Sequence, residues 1–370
     1  MLERRLFPSL SVIIPTYNRQ QLLAHALEGY LAQSSPHLIC EILVIDDGST
    51  DDTESVVRDC GKRSVFPIRY KRQRNKGPAA ARNLGIQQAR SELVLFTDSD
   101  VIPESDLVEQ HIAWHRENPQ IQAAVQGYLE WSPAVGATPF MRWYGEHSLF
   151  SFGKTRNKRE VDFRSFYTCN VSLKTEFLRC CGQFDEEFKS AAYEDSELGY
   201  RLSLQGMRLL YNSEAIGYHH QFFSFEDACR KARANAGATQ LFFRKEAGRA
   251  VLKEIQRKES NFRYKIVTRL AMWAAAALSP FRLLLDSSIP LPGILYRLFF
   301  WASVRADKKQ TVLAASSNGI QLETLNRESS TVAAVNHGST VDNTTPVTAS
   351  CETICDQSRS PRTNAPVGSL

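Results

Sequence analysis

The chain has 370 residues, is 43% hydrophobic and carries a formal net charge of +5, so it can bury a catalytic-size core of roughly 200–250 residues with appendages to spare. Its basic residues are spread along the chain, which excludes the concentrated basic face of a nucleic-acid binder and fits phosphate-bearing small molecules or an anionic membrane surface. Eight cysteines without a C-x-x-C pair, two of them adjacent at Cys180 and Cys181, exclude a zinc cage and fit free thiols in a reducing cytosol.

Near the start, Arg4 and Arg5 precede the apolar run Leu10–Ile14, which is too short for a secretory leader and is stopped by Pro15 without a small-residue cleavage site. It reads as a first core strand. Further strands are expected at Glu41–Ile45, Val65–Tyr70 and Leu93–Phe96, with helices near Arg19–Gln33, Thr53–Cys60 and Pro78–Ala89. Short β-branched runs alternating with helical stretches predict an α/β fold with parallel strands and crossover helices. Pro78 suits the first turn of its helix, where the missing N–H has no partner to lose.

Beyond Phe96 the regularity weakens. Glu104–Arg116 reads as a helix, and a stretch rich in Gly, Pro and aromatics follows from Gly127 to Phe152. Trp131, Trp143, Tyr144 and Phe150–Phe152 can line a sugar cleft or pack as ordinary core. A second ordered unit runs from Phe163 to Tyr218, with helices around Lys174–Cys180 and Tyr193–Gln205. In the region 264–305, Lys265, Arg269, Arg282, Arg297 and Arg305 interrupt the apolar residues. That pattern predicts helices lying in a membrane interface, with an appendage packed on the catalytic domain and a true membrane insertion as the alternatives. From 306 to 370 the chain is rich in Ser, Thr, Asn and Gln and poor in aromatics, the composition of a disordered tail.

In an open parallel sheet, ligands bind beyond the carboxyl ends of the strands. Three such ends are chemically loaded: Pro15-Thr16-Tyr17-Asn18, Asp46-Asp47-Gly48-Ser49-Thr50-Asp51 and Asp98-Ser99-Asp100. No G-x-G-x-x-G follows the first strand, against a dinucleotide oxidoreductase. Two carboxylates spaced D-x-D on a turn can converge on a hard divalent cation, which is held by one or two carboxylates plus substrate phosphates. Asp46 and Asp47 can accept hydrogen bonds from a nucleobase or ribose, while Thr50 or Asp51 suits a helix cap. Asn75-Lys76-Gly77-Pro78 opens a helix, and a helix amino end beside Lys76 and Arg82 favours phosphate.

These segments, with Lys76-Gly77-Pro78-Ala79-Ala80-Ala81-Arg82-Asn83, Asn170-Val171-Ser172, Gly182-Gln183-Phe184-Asp185, Tyr193-Glu194-Asp195 and Tyr218-His219, resemble the family 2 glycosyltransferases over roughly residues 10–220. The resemblance implies a GT-A fold, a nucleotide-diphospho-sugar donor, a divalent cation (Mg²⁺ or Mn²⁺) and inversion at the anomeric carbon. It implies that Pro15 and Tyr17 contact the base, Asp47 bonds it and Asp46 supports the loop. Asp98 would face ribose or metal, Asp100 would be the principal metal ligand, and His219 rather than His220 would meet metal or diphosphate. Asp195 would be the general base and Glu194 would orient the site or meet the acceptor. The helix dipole at the start of that helix favours the ionised form a base needs.

The organisation expected is a nucleotide-sugar half (1–125), an acceptor and catalytic half (126–225), a helical, membrane-associated region (226–305) and the tail (306–370). Gln240-Leu241-Phe242-Phe243-Arg244 does not reproduce the Q-x-x-R-W motif of processive synthases, which favours transfer of one sugar to a saccharide or lipid-linked acceptor at the cytoplasmic face. In that compartment the sequon Asn170-Val171-Ser172 carries no glycan. The competing readings are a catalytically silent sugar-nucleotide binder or scaffold and a sugar nucleotidyltransferase, the latter weakened by the missing glycine-rich basic loop after the first strand.

Overall fold

Leu10–Ile14 are all buried, and a fully buried apolar run of this length is what an interior parallel strand requires. It forms β1 (Leu10–Thr16). The computed structural model describes residues 8–150, 159–251, 284–300 and 303. In chain order follow α1 (Gln20–Leu31), β2 (Ile39–Asp46), α2 (Thr53–Arg63), β3 (Ile68–Arg72), α3 (Pro78–Gln88) and β4 (Leu93–Thr97). After these come β5 (Val101–Pro103), α4 (Leu107–Glu117), β6 (Ala123–Trp131), α5 (Pro139–Tyr144), β7 (Glu160–Val161), β8 (Asn170–Lys174), α6 (Thr175–Cys181), α7 (Glu194–Leu204), β9 (Arg208–His219), α8 (Phe225–Ala234) and α9 (Ala236–Arg244).

The strands form one sheet in the order β3-β2-β1-β4-β8-β6-β9-β5, with β7 also on β9. The pairs β3-β2, β2-β1 and β1-β4 are parallel, as the crossover helices require. β8 enters antiparallel between β4 and β6. The third strand starts at Ile68, later than the sequence suggests, because Pro67 has no N–H and Ser64 folds back to bond Phe66. Val65 is left 82% exposed. Pro78 does sit in the first turn of α3. β5 to β9 are additions to the expected strands, and position 125/126 falls inside β6.

A buried polar chain pins the antiparallel part. Lys174 Nζ bonds His115 Nδ1 at 3.0 Å, His115 Nε2 bonds Ser172 Oγ at 2.9 Å, Ser172 Oγ meets His111 Nδ1 at 2.8 Å, and His111 Nε2 meets Asn170 Oδ1 at 2.9 Å. A lysine ammonium only donates and an amide oxygen only accepts. Every bond in the chain therefore runs one way, from Lys174 to Asn170. Asn170 Nδ2 in turn donates to the carbonyls of Tyr128 and Ala215 at 2.9 and 2.8 Å, at the register shift between Gly127 and Tyr128. A Cβ on Gly127 would stand 2.3 Å from Asn170 Nδ2, so only glycine admits that amide. The Asn170-Val171-Ser172 motif thus serves as an internal pin.

Of the region expected to touch membrane, residues 252–283, 301–302 and 304–305 lie outside the described residues, as does the tail from 306. Within 284–300, Leu285, Tyr296 and Phe299 are buried against Phe140, Tyr144 and Phe225. Among the described residues no helix is long and apolar enough to cross a membrane.

Candidate active site

The carboxyl ends of β1, β2 and β4 open on a cleft of about 560 Å³ lined by Pro15, Tyr17, Asp47, Arg82, Asp98 and Asp100 from the parallel half and by His219 and Lys231 from beyond it. Tyr17 is 47% exposed at its mouth. Asn18 sits in the left-handed region (φ 51°), and its N–H donates to Ser49 Oγ at 2.9 Å while its Oδ1 accepts from Thr50 N at 2.8 Å. Asp51 ties the same two loops, accepting from Gln20 N at 3.0 Å and from Thr53 Oγ1 at 2.5 Å. Neighbouring strand ends are thereby locked to one another.

Both acids after β2 are buried and bound. Asp46 accepts from Ser49 N at 2.7 Å and from the Tyr70 hydroxyl. Asp47 Oδ1 accepts from Gln73 Nε2 (2.7 Å) and Lys76 N (2.8 Å), and Oδ2 from Gly77 N (2.8 Å). A carboxylate has about four acceptor positions, so one remains on Oδ2. Lys76 enters through its main chain, and the cleft lining takes Asn75, Gly77 and Pro78 instead of it. Gly77 has φ 95°, and a Cβ there would lie 2.8 Å from the Lys189 carbonyl.

Arg82 differs from the phosphate ligand suggested by sequence. It is buried on α3, with Nη1 on Glu194 Oε1 at 2.8 Å and Nη2 on Asp98 Oδ1 at 2.9 Å. It thus links the acidic triplet to the Glu194-Asp195 pair across the sheet. Tyr193, which opens α7, has φ 69° and stacks on Phe242 at 4.8 Å, fixing where α7 starts. Burial pushes the Glu194 carboxyl up to about 7, helped by Asp195 and opposed by Arg82. Burial likewise raises Asp195, against the pull of Arg82 and the Ser196 N–H 2.7 Å away. Desolvation outweighs the helix end, and a carboxylate with a raised pKa is a stronger base.

Within the triplet, Asp98 is 37% exposed at its side chain and Asp100 only 6%. Asp100 Oδ2 bonds Arg19 Nη1 and lies 3.7 Å from His219 Nε2. Burial works against its charge, but His219, Arg19 and Lys231 win and hold the carboxyl below its ordinary range. His219 packs between Trp131 and Phe150, at 5.1 and 5.7 Å, and its buried Nδ1 has no partner. His220 turns away to Ser132 Oγ at 3.0 Å. Among the described residues no three His, Cys, Asp or Glu side chains converge as a ready metal cage. Asp98, Asp100 and His219 share the cleft as separate groups, an O and N donor set suited to Mg²⁺ or Mn²⁺ with phosphates completing the shell.

Of the aromatics, Trp131, Tyr144 and Phe150 are buried in the core with Trp143 packed against them, Phe150 also lines the cleft, and Phe152 lies outside the described residues. Arg19, Cys169 and Lys231 line the cleft without having been expected there. Arg19 follows the Pro15–Asn18 motif directly, a signal that was available. Cys169 stays a thiol, its pKa raised by burial and then by Asp98 and Asp195.

Residues 11–177 match the family described as glycosyl transferase family 2. They form a family 2 glycosyltransferase domain. The chain is 32% identical over 236 residues to a validoxylamine A glucosyltransferase of Streptomyces hygroscopicus subsp. limoneus, covering 57% of this chain and 51% of that protein. It is 30% identical over 268 residues to a chondroitin synthase of Escherichia coli, covering 64% of this chain and 38% of that one. The chain therefore spans about half or less of the length of these relatives. A mannosyltransferase of Pyrobaculum calidifontis, solved with GDP-Man and Mn²⁺, superposes with a TM-score of 0.53 at 19% identity over 81% of this chain and 86% of that chain. The fold is GT-A, as the motifs imply.

Proposed function

We propose that the protein transfers one sugar from a nucleotide-diphospho-sugar to a hydroxyl of a saccharide or lipid-linked acceptor, with inversion. The observation that carries this reading is Asp195, a half-buried carboxylate of raised pKa tied through Glu194 and Arg82 to Asp98 at the donor cleft. The acceptor oxygen attacks the anomeric carbon, its proton passes to Asp195, and the bond from that carbon to the diphosphate oxygen breaks. Glu194 keeps Arg82 in place and Arg82 keeps Asp98 turned into the cleft.

Pro15 and the exposed ring of Tyr17 would receive the base, and the spare acceptor position on Asp47 would take its N–H. Asp100, His219 and Asp98 would hold a divalent cation. When bound, such an ion offsets the charge gathering on the departing diphosphate. That the Pyrobaculum mannosyltransferase was solved with GDP-Man and Mn²⁺ supports a nucleotide-sugar donor and a divalent cation here. The packing of Leu285, Tyr296 and Phe299 on the domain supports a peripheral association with the cytoplasmic face of a membrane.

Asp195→Asn is the test. Transfer should fall by roughly 10²–10⁴ in kcat, the range for losing a general base, while binding of UDP- or GDP-sugar with Mn²⁺ persists. Full turnover by the variant removes Asp195 from the mechanism.

A further inference from the structure

Asp100 is buried, and a buried carboxylate needs a charged or hydrogen-bonding partner. In the structure that partner is Arg19, whose Nη1 bonds Asp100 Oδ2. The same oxygen is the one nearest His219 Nε2, at 3.7 Å. Arg19 takes up one acceptor position of that oxygen, and its guanidinium charge opposes a metal ion brought to the same atom. The main chain around Arg19 is fixed, since Asn18 bonds Ser49 and Thr50 and Gln20 bonds Asp51. Its side chain is 42% exposed and, among the described residues, is held only by the bond to Asp100.

The other cations divide clearly. Arg82 is committed to Glu194 and Asp98. Lys231 reaches in from α8 over the Phe223 ring at 5.7 Å and acts on Asp100 and His219, with no carboxylate partner among the described residues. A leaving nucleoside diphosphate gathers more negative charge than one divalent ion held by Asp100 neutralises. Further cations that are not already paired are needed at that spot.

The geometry points to Arg19 as an exchange partner of the divalent cation: Arg19 and the metal compete for Asp100 Oδ2, and the arginine displaced from it joins Lys231 on the phosphates of the donor. This rests on the metal role given to Asp100 above. It makes free metal bind weakly and metal with diphosphate bind well, so the site closes its charge balance only when both arrive.

The experiment titrates Mn²⁺ alone, then pyrophosphate in saturating Mn²⁺, into the full chain, reading free Mn²⁺ by electron paramagnetic resonance and pyrophosphate by calorimetry. Arg19→Gln should bind Mn²⁺ alone roughly tenfold tighter, the scale of one lost charge-assisted hydrogen bond, and pyrophosphate several-fold more weakly. Mn²⁺ affinity that is unchanged or weaker in Arg19→Gln overturns the competition. Unchanged pyrophosphate binding overturns the transfer of Arg19 to phosphate. Asp100→Asn separates the two levels of failure: if it loses Mn²⁺ while Arg19→Gln behaves as wild type, only the exchange is refuted. If Asp100→Asn keeps Mn²⁺, the metal assignment itself is refuted, and the exchange with it.

Discussion

The two sides of the sheet are held by different physics. Around β1, β2 and β4 the core is aliphatic, with Leu10, Val12, Ile14, Ile42, Val44, Leu93 and Leu95 buried together. Around β6, β8 and β9, aromatic packing is joined by the Lys174-His115-Ser172-His111-Asn170 chain and by Gln126, which bonds the Asn170 carbonyl at 2.8 Å. Aliphatic burial is insensitive to pH and forgiving of exact position. A buried polar chain is satisfied in one register only. The polar chain thus fixes β8 against α4, while α7 packs Leu198 and Leu202 into an aliphatic core shared with Ile13, Leu43 and Val94, and Arg82 links α7 to Asp98.

Breaking that link should give the largest effect. Arg82→Met leaves Glu194 buried without its cation, a change that costs roughly 3–5 kcal/mol. Denaturant unfolding should show it, together with a loss of kcat larger than any change in donor KM. Leu95→Ala probes the aliphatic side. It should cost about 2–5 kcal/mol, by an amount that stays the same between pH 5 and pH 8.

The polar side should behave otherwise. Burial holds His111 at about 4, below its ordinary 6.5, and holds His115 well below it. The unfolded chain binds protons that these neutral imidazoles refuse, so their contribution is full above pH 6.5 and is lost as pH falls toward 4. For His111 alone the loss is about 3 kcal/mol over that window. His111→Leu should lower stability at pH 7 by about 1–3 kcal/mol, because Ser172 and Asn170 lose a partner, and should flatten the acid limb. An acid limb as steep as the wild type's would assign the acid sensitivity elsewhere.

The same contrast explains what could be read from sequence. β1, β2 and β4 are buried on both faces and read as continuous apolar runs, and their loaded ends announce the cleft. Val101–Pro103 and the Gly127 bend in β6 lack such a period, because their pairing is decided by β9 more than 80 residues later along the chain. The place of His219 in the cleft lining is legible from the Tyr218-His219 motif. Arg82 looked like a phosphate ligand because nothing local tells that Glu194, 112 positions away, takes its Nη1. Arg19 follows the Pro15–Asn18 motif, but its tie to Asp100 depends on β4 lying beside β1.

The placement of β8 has a further consequence, for the order in which the protein can be made. β4 is buried at every residue, and its second neighbour, Asn170–Lys174, is synthesised more than 70 residues after Thr97. Until that segment emerges and docks, the nascent parallel layer ends in an apolar strand with unpaired amides, the kind of edge on which chains aggregate. The interior pin at Asn170 and Ser172 therefore also marks the moment at which a growing chain stops being sticky.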